Sequence, residues 1–308
     1  MAVLYGPVPS RRLGLSLGID IVPFKTCTLD CIYCQLGRTT ELTLKRKKYI
    51  GSSIVLKEIK DFLKTGRKVD YITFAGSGEP TLNSDIGNII TGIKKITDIP
   101  VAVITNGTLL FRKAVRNSLL NADLVVPSLD SATLTGFKRI NRRHNSLYIK
   151  KVIEGITRFR REYEGKIWLE IMLVKGFNDT GKELDRLKKA VALIKPDKVQ
   201  LNTVVRPPAE KYAARVSRKK MKAIASDFSS KCDVIYDRKW KHKKYFRSLI
   251  GESILEVLRR RPVTVDDIVA SLGLEKSGVI KNLLILEKTG AIKIKNMNGK
   301  LFYAENKK

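Results

Sequence analysis

The chain has 308 residues, 43% of them hydrophobic, enough for a buried core in one large domain or in one large and one small. No apolar run is long enough to span a bilayer, and MAVLYGPVPSRR lacks a basic-then-apolar leader pattern. A membrane span and export are therefore disfavoured, and a cytoplasmic protein is predicted. Lys and Arg number 60 against 30 Asp and Glu, a net charge of +30. A lysine-rich thermophile surface would carry roughly matching glutamate, so the excess points to a polyanionic partner, most simply nucleic acid.

In chain order, Leu15 to Val22 reads as a first strand ending just before Cys27. CTLDCIYC (27–34) then holds three of the four cysteines. Ile54, Val55, Ile59, Phe62 and Leu63 have helical spacing. YITFAG (71–76) reads as a buried strand that ends in GSGEP (76–80), with a helix following through Ile89 and Ile93. VAVITNG (101–107) is the next strand, and Leu110 to Leu120 is helical. DLVVPSLD (123–130) precedes a long helical stretch to about Tyr163, and KIWLEIMLVKG (166–176) and DKVQLNTVV (197–205) complete six strands. Repeated strand–helix units predict a parallel sheet with right-handed crossovers. Six such units predict a partial (β/α)6 barrel of TIM type, with its functional residues at the strand C-terminal ends.

The last sixty or so residues change character. Ile254, Leu255 and Leu258 begin a helix that stops at Pro262. TVDD (264–267) reads as a capping box that opens a second helix, ending at Gly273. A third runs from about Ser277 to Lys288, and alternation around Asn298-Gly299 signals a hairpin. Three helices and a hairpin predict a winged helix-turn-helix domain over 251–308, docking either protein or nucleic acid. Domain boundaries follow at 1–237, 238–250 and 251–308. The middle segment contains RKWKHKKYFR (238–247), whose alternating cations and rings suit phosphates and bases of a nucleic-acid strand; the alternative is a solvated helix whose aromatics pack inward.

Three thiols in one loop can hold three irons of a cubane 4Fe–4S cluster and leave one iron without a protein ligand. The alternatives on spacing alone are a zinc site completed by His144 or His242, or buried structural thiols. The loop follows the first strand, and the glycines of GSGEP at the next strand end suggest close backbone approach to a ligand, which packing alone would not require.

Together these residues resemble the radical S-adenosylmethionine (SAM) superfamily. Cys27, Cys31, Tyr33 and Cys34 match its Cys-x3-Cys-x-aromatic-Cys signature, and Gly76-Ser77-Gly78-Glu79 looks like its Gly-Gly-Glu-type strand end with one added residue. The opening YGPVPSRRLGLSLGID and CQLGRTT after the cysteines are similar to a group related to the tRNA wyosine-synthesis enzymes. The resemblance, over roughly 1–235, implies an enzyme with one 4Fe–4S cluster on Cys27, Cys31 and Cys34, and SAM on the open iron. It implies cleavage of SAM to methionine and a 5′-deoxyadenosyl radical that abstracts hydrogen from a substrate. A flavodoxin- or ferredoxin-type electron donor is implied as well. Backbone around Gly76 to Glu79 would receive the methionine amine; Asn106, Ser128 and Asp130 would serve the carboxylate and ribose; Asn202 would reach adenosine or substrate. Each of these is otherwise a capping or turn residue. Arg206 would bind an anionic substrate group or pair with a carboxylate.

Enzymes of this superfamily with a second cluster, or with two extra catalytic cysteines, are disfavoured because only Cys232 remains. Cys232 is read as a small buried residue rather than a hydrogen-atom donor. An RNA substrate, most simply tRNA, is favoured by the charge; a protein or metabolite substrate is the alternative, and a cluster-sensing DNA-binding regulator is the third. Residues 206–247 hold fourteen Lys or Arg and four Asp or Glu, whereas 251–308 hold eleven and seven. That distribution favours nucleic acid near the active end over operator binding.

Overall fold

A computed structural model describes residues 3–228, 231–235, 250–272, 274 and 276–306. RKWKHKKYFR with His242, the boundary at 237, and Gly273 lie outside the described residues.

The chain opens with β1 (Leu4–Ser10) and β2 (Gly14–Ile19), then the short pair β3 (Thr26–Cys27) and β4 (Glu41–Leu42). Alternating units follow: α1 (Ser52–Lys64), β5 (Tyr71–Phe74), α2 (Ile86–Lys94), β6 (Val101–Thr105), α3 (Lys113–Leu119), β7 (Leu124–Pro127), α4 (Leu134–Asn141), α5 (Ile149–Glu162), β8 (Lys166–Leu173), α6 (Gly181–Ile194), β9 (Lys198–Thr203), α7 (Arg218–Phe228) and β10 (Cys232–Val234). One sheet takes the order β1-β2-β5-β6-β7-β8-β9-β10. β1 runs antiparallel to β2, and the other pairings are parallel. The six strands expected from the sequence are β2 and β5 to β9, and they lie side by side in that order. Their apolar runs are nearly continuous because helices cover the sheet. Val55, Ile59 and Phe62 of α1 and Val152, Ile156 and Phe159 of α5 are buried at helical spacing.

Three elements depart from expectation. β1 went unread because Pro7 and Pro9 argue against a strand; at the sheet edge, a missing N–H is tolerated. The helix expected from Leu110 begins only at Lys113, since Leu109 and Leu110 are fully buried in the preceding turn. The long helical stretch to Tyr163 is two helices. Arg142, with φ of 42°, ends α4, and its guanidinium bridges Asp30 and Glu210. Tertiary pairing there outweighs helix continuation.

At the C-terminus lie α8 (Ile250–Arg260), α9 (Val265–Leu272), α10 (Lys276–Lys288) and the hairpin of β11 (Ile292–Met297) and β12 (Lys300–Glu305). The capping box is present: Asp267 N donates to Thr264 Oγ1 at 3.1 Å, and Thr264 N donates to Asp267 Oδ2 at 3.0 Å. Asn298 and Gly299 both have positive φ, as the tight hairpin turn requires. Ile254, Val257, Leu258, Val263, Ile268 and Leu272 form a second core, against which Val8 of β1 packs. Among the described residues, no helix is long and apolar enough to cross a membrane.

Candidate functional site

The cysteine loop sits where the parallel strands end, and its backbone is held on several sides. Glu79 N donates to Thr26 O at 3.1 Å and Thr43 N to Cys27 O at 2.9 Å. Asp30 N and Ile32 N donate to the carbonyls of Asn141 and Ile140 at the end of α4. Ile32 is fully buried with Ile140, Val174 and Val204. Each of the three thiols faces a nitrogen donor: Asn106 Nδ2 at 3.5 Å from Cys27, Asn141 Nδ2 at 3.3 Å from Cys31, and Lys25 Nζ at 3.2 Å from Cys34. Donors aimed at sulfur stabilise thiolates and tune a cluster bound to them. Burial, with Glu79 next, pushes the Cys27 thiol up to about 12; burial, with Asp130 next, pushes Cys31 up as well. Metal binding at this loop would therefore release protons.

Among the described residues, no group of three His, Cys, Asp or Glu side chains is arranged to hold a single metal ion. His144 Nδ1 instead accepts from Ser146 N at 3.2 Å. Thiols that each bind a separate iron need not converge on one point, so the arrangement fits a cubane with three cysteine ligands better than zinc. Cys232 is half-buried on β10 and pairs with Val199 near the start of β9, at the other end of the strand from the cysteine loop. Its surroundings are those of a small packing residue.

The strand end at 76–79 requires a correction. A Cβ on Gly76, whose φ is +145°, would lie 2.6 Å from Asp20 Cγ; one on Gly78 would lie 2.0 Å from the carbonyl oxygen of Thr26. Internal packing by itself demands both glycines, so their presence is not evidence of close ligand approach. Gly78→Ala is expected to push the cysteine strand away, break the Glu79–Thr26 bond and cost about 1–3 kcal/mol, measured as a fall in unfolding midpoint together with reduced iron loading. Ser77 donates to Asp20 Oδ2 through its N at 3.1 Å and its Oγ at 2.5 Å. The Glu79 side chain is buried and accepts from Thr81 N, Thr81 Oγ1, Thr105 Oγ1 and Asn106 N. It ties β5 to β6 and offers no free oxygen to a ligand.

A cavity of about 370 Å³ lies over these strand ends. Cys27, Cys34, the 76–79 backbone, Asn106, Ser128 and Asn202 border it. Asn106 Oδ1 accepts from Thr108 N, and its Nδ2 also donates to Thr28 Oγ1 at 2.7 Å, so this side chain braces the cysteine loop. Ser128 lies at the end of β7, its N donating to Thr105 O at 3.0 Å. Asp130 sits behind the cavity rather than on it, accepting from Tyr33 Oη, from Asn141 Nδ2 at 2.7 Å and from Met172 N at 2.9 Å. Burial raises its carboxyl to about 6 despite these donors. Asn202 faces the cavity, donating to Glu170 Oε1 at 2.9 Å while its Oδ1 accepts from Arg11 at 3.3 Å. Lys25, Asn141, Asp20, Arg11, Arg12 and Glu170 carry no local signal of these contacts in the sequence; the two arginines lie in the YGPVPSRR stretch that carries the family resemblance.

Arg206 also borders this cavity and forms no ion pair among the described residues; its Nη1 lies 3.5 Å from Gln35 Oε1. A second cavity of about 1380 Å³ shares Thr203 and Val205 with the first and opens between the 207–220 segment and the C-terminal hairpin. Lys175, Lys211, Arg215 and Arg218 line one wall, and Lys295 and Lys300 the other. Asp179, its one acidic lining residue, is paired with Lys220 at 2.7 Å.

The sequence pattern of the Radical SAM superfamily matches residues 21–188. Over 306 residues the chain is 40% identical to the protein described as GTPase Obg of Brachyspira hyodysenteriae, covering 98% of this chain and 45% of that protein, so it spans less than half of that relative. Over 314 residues it is 33% identical to the UPF0026 protein MJ1312 of Methanocaldococcus jannaschii, covering 99% of this chain and 97% of that one. Among solved structures, a radical SAM methyltransferase from Sphaerobacter thermophilus matches with a TM-score of 0.58 at 16% identity, over 73% of this chain and 67% of that chain. That last likeness is one of fold alone.

Proposed function

The chain belongs to the radical SAM superfamily, and from that premise we propose that it abstracts hydrogen from an RNA substrate, most simply tRNA. The superfamily is SAM-dependent and uses a 4Fe–4S cluster. When bound, cluster and SAM supply reductive cleavage of the sulfonium bond to methionine and a 5′-deoxyadenosyl radical.

The chain's own residues do the rest. Cys27, Cys31 and Cys34 would hold the cluster, with Asn106, Asn141 and Lys25 donating to their sulfurs. Backbone at 76–79, its shape held by Asp20 and Glu79, would receive the methionine amine. Ser128 and Asn202 would face the nucleoside, while Asp130 fixes Tyr33 of the signature. The parallel strands are read as a partial barrel and the C-terminal unit as a winged helix-turn-helix. A flavodoxin- or ferredoxin-type protein delivers the electron.

The observation that carries the RNA reading is the basic cavity between the 207–220 segment and the hairpin. Its two cationic walls run into the site cavity, as a path for a phosphate backbone would. Anaerobically reconstituted, reduced protein given SAM is expected to release 5′-deoxyadenosine in a burst that needs total cellular RNA. Nuclease treatment should abolish the burst, and added salt should weaken it steeply. Slow release indifferent to RNA would move the substrate to a protein or metabolite.

One observation favours that second reading. α10, the helix a DNA-binding winged helix would lay in the groove, turns Ile280, Leu284 and Ile285 outward at 41%, 53% and 51% exposure. An apolar outer face suits protein docking and not base readout. It also weighs against the DNA-binding regulator, as does membership of an enzyme superfamily.

A further inference from the structure

Five arginines border the site cavity: Arg11, Arg12, Arg206, Arg260 and Arg261. Two are paired, Arg12 with Glu170 at 2.7 Å and Arg260 with Asp20. The other three converge from the β1–β2 turn, the loop after β9 and the residue following α8. Arg11 donates to the neutral Asn202 Oδ1 and Arg206 to the neutral Gln35 Oε1. Arg206 Nε is buried with no acceptor among the described residues. Asp267 is the carboxylate whose field reaches Arg11 and Arg206 from the C-terminal unit, but it accepts from Thr264 and pairs with none of the three within 4 Å.

Five guanidinium groups against Glu170, Asp20 and Asp267 leave two positive charges in excess; Lys25 and Glu79, also on the wall, cancel. Burial, with Arg261 and Arg11 next, holds Arg206 well below the usual arginine range. Burial, with Arg12 and Arg261 next, lowers Arg11 to about 10. The protein therefore gathers mutually repelling, only partly exposed cations around one cavity, with no ion pair to Arg11, Arg206 or Arg261 among the described residues, which packing would not select. SAM as a whole does not supply the missing charge, because its sulfonium offsets its carboxylate. A phosphate group does: a phosphodiester carries one negative charge and a terminal phosphate about −1.5 to −2, and either accepts from several planar guanidinium forks at once.

We propose that Arg11, Arg206 and Arg261 form a subsite for a phosphate group of the substrate. The subsite draws its purpose from the proposed enzymatic function, but its chemistry stands apart, since phosphate binds three guanidiniums whether or not SAM is cleaved. Because Arg261 comes from the C-terminal unit, a bound phosphate would also clamp that unit over the sheet.

The test uses metal-free full-length protein, so it does not depend on cofactor loading. Inorganic phosphate at constant ionic strength is expected to raise the unfolding midpoint and to bind by calorimetry. Arg206→Met should weaken phosphate binding about 10- to 100-fold and melt no lower than wild type without phosphate, because it relieves repulsion. Arg261→Gln should weaken binding similarly. An equal phosphate shift in wild type and Arg206→Met would overturn the proposal, as would marked destabilisation by Arg206→Met alone, which would make Arg206 a structural partner of Asp267. Adenosine 5′-monophosphate binding as tightly as a short RNA would assign a free nucleotide; tighter RNA binding, competed by phosphate, would assign the strand. Phosphate binding with deoxyadenosine release indifferent to RNA would retain the subsite and discard the RNA reading. RNA-dependent release without phosphate binding would do the reverse.

Discussion

Cys27→Ala, Cys31→Ala and Cys34→Ala proteins will each purify with iron near background and release no 5′-deoxyadenosine from SAM. On the proposed reading each thiol would be the single protein ligand to one iron, and among the described cysteines no fourth stands near: Cys232 lies on β10, opposite Val199 near the start of β9. Loss of a ligand also strands the donor aimed at it, Asn106, Asn141 or Lys25. Cys232→Ser is the matched control and should keep both iron and cleavage. Iron analysis with a deoxyadenosine assay decides it. Full iron and cleavage in any of the three alanine variants would remove the cluster from this loop.

Arg12→Ala is expected to lose about 3–5 kcal/mol of stability, the cost of leaving one partner of a buried pair alone. The Arg12 and Glu170 side chains are 9% and 10% exposed and meet through two hydrogen bonds, at 2.7 and 3.0 Å. Burial by itself would raise the Glu170 carboxyl, but Arg12 more than offsets it, helped by Asn202 and Arg11, and holds it below the usual range. The pH dependence then has opposite signs in the two proteins. In wild type the depressed carboxyl contributes stability above its unfolded value, about 4.3, and loses it as pH falls through the lower folded value. In Arg12→Ala burial dominates, the folded value rises, and the penalty at neutral pH relaxes on acidification. Urea unfolding across this range checks both slopes. Arg12→Met combined with Glu170→Leu should recover much of the loss. A single variant with wild-type stability and slope would mean that the pair is not buried as described.

Much of this molecule is legible in local pattern. Strands β2 and β5 to β9 announce themselves as apolar β-rich runs, α1 by its 55, 59, 62 spacing, the capping box by TVDD and the hairpin by Asn298-Gly299. The cysteine spacing carried the cofactor, because three ligands within eight residues need only one loop to bring them together. Strand ends on a parallel sheet then pointed to Asn106, Ser128 and Asn202, which border one cavity with Cys27 and Cys34.

What local pattern does not contain is the choice of hydrogen-bond partner. Asn106, Asp130 and Asn202 look alike as polar residues at strand ends. One braces the cysteine loop, one lies behind it against Tyr33, and one faces the cavity. Gly76 and Gly78 read as ligand-approach glycines, but the atoms that exclude a Cβ belong to Asp20 and Thr26. The break at Arg142 depends on Asp30 and Glu210, far away in sequence.

The sequence by itself therefore determined the repeating strand–helix order, the three-thiol loop and the net charge of +30, since each depends on residue type and short-range spacing. Only the tertiary structure decided where that charge concentrates. Arg11, Arg206 and Arg261 lie in three segments that share no local pattern, and their meeting in one cavity follows from the packing of the C-terminal unit on β1, a long-range contact that no short window of residues encodes.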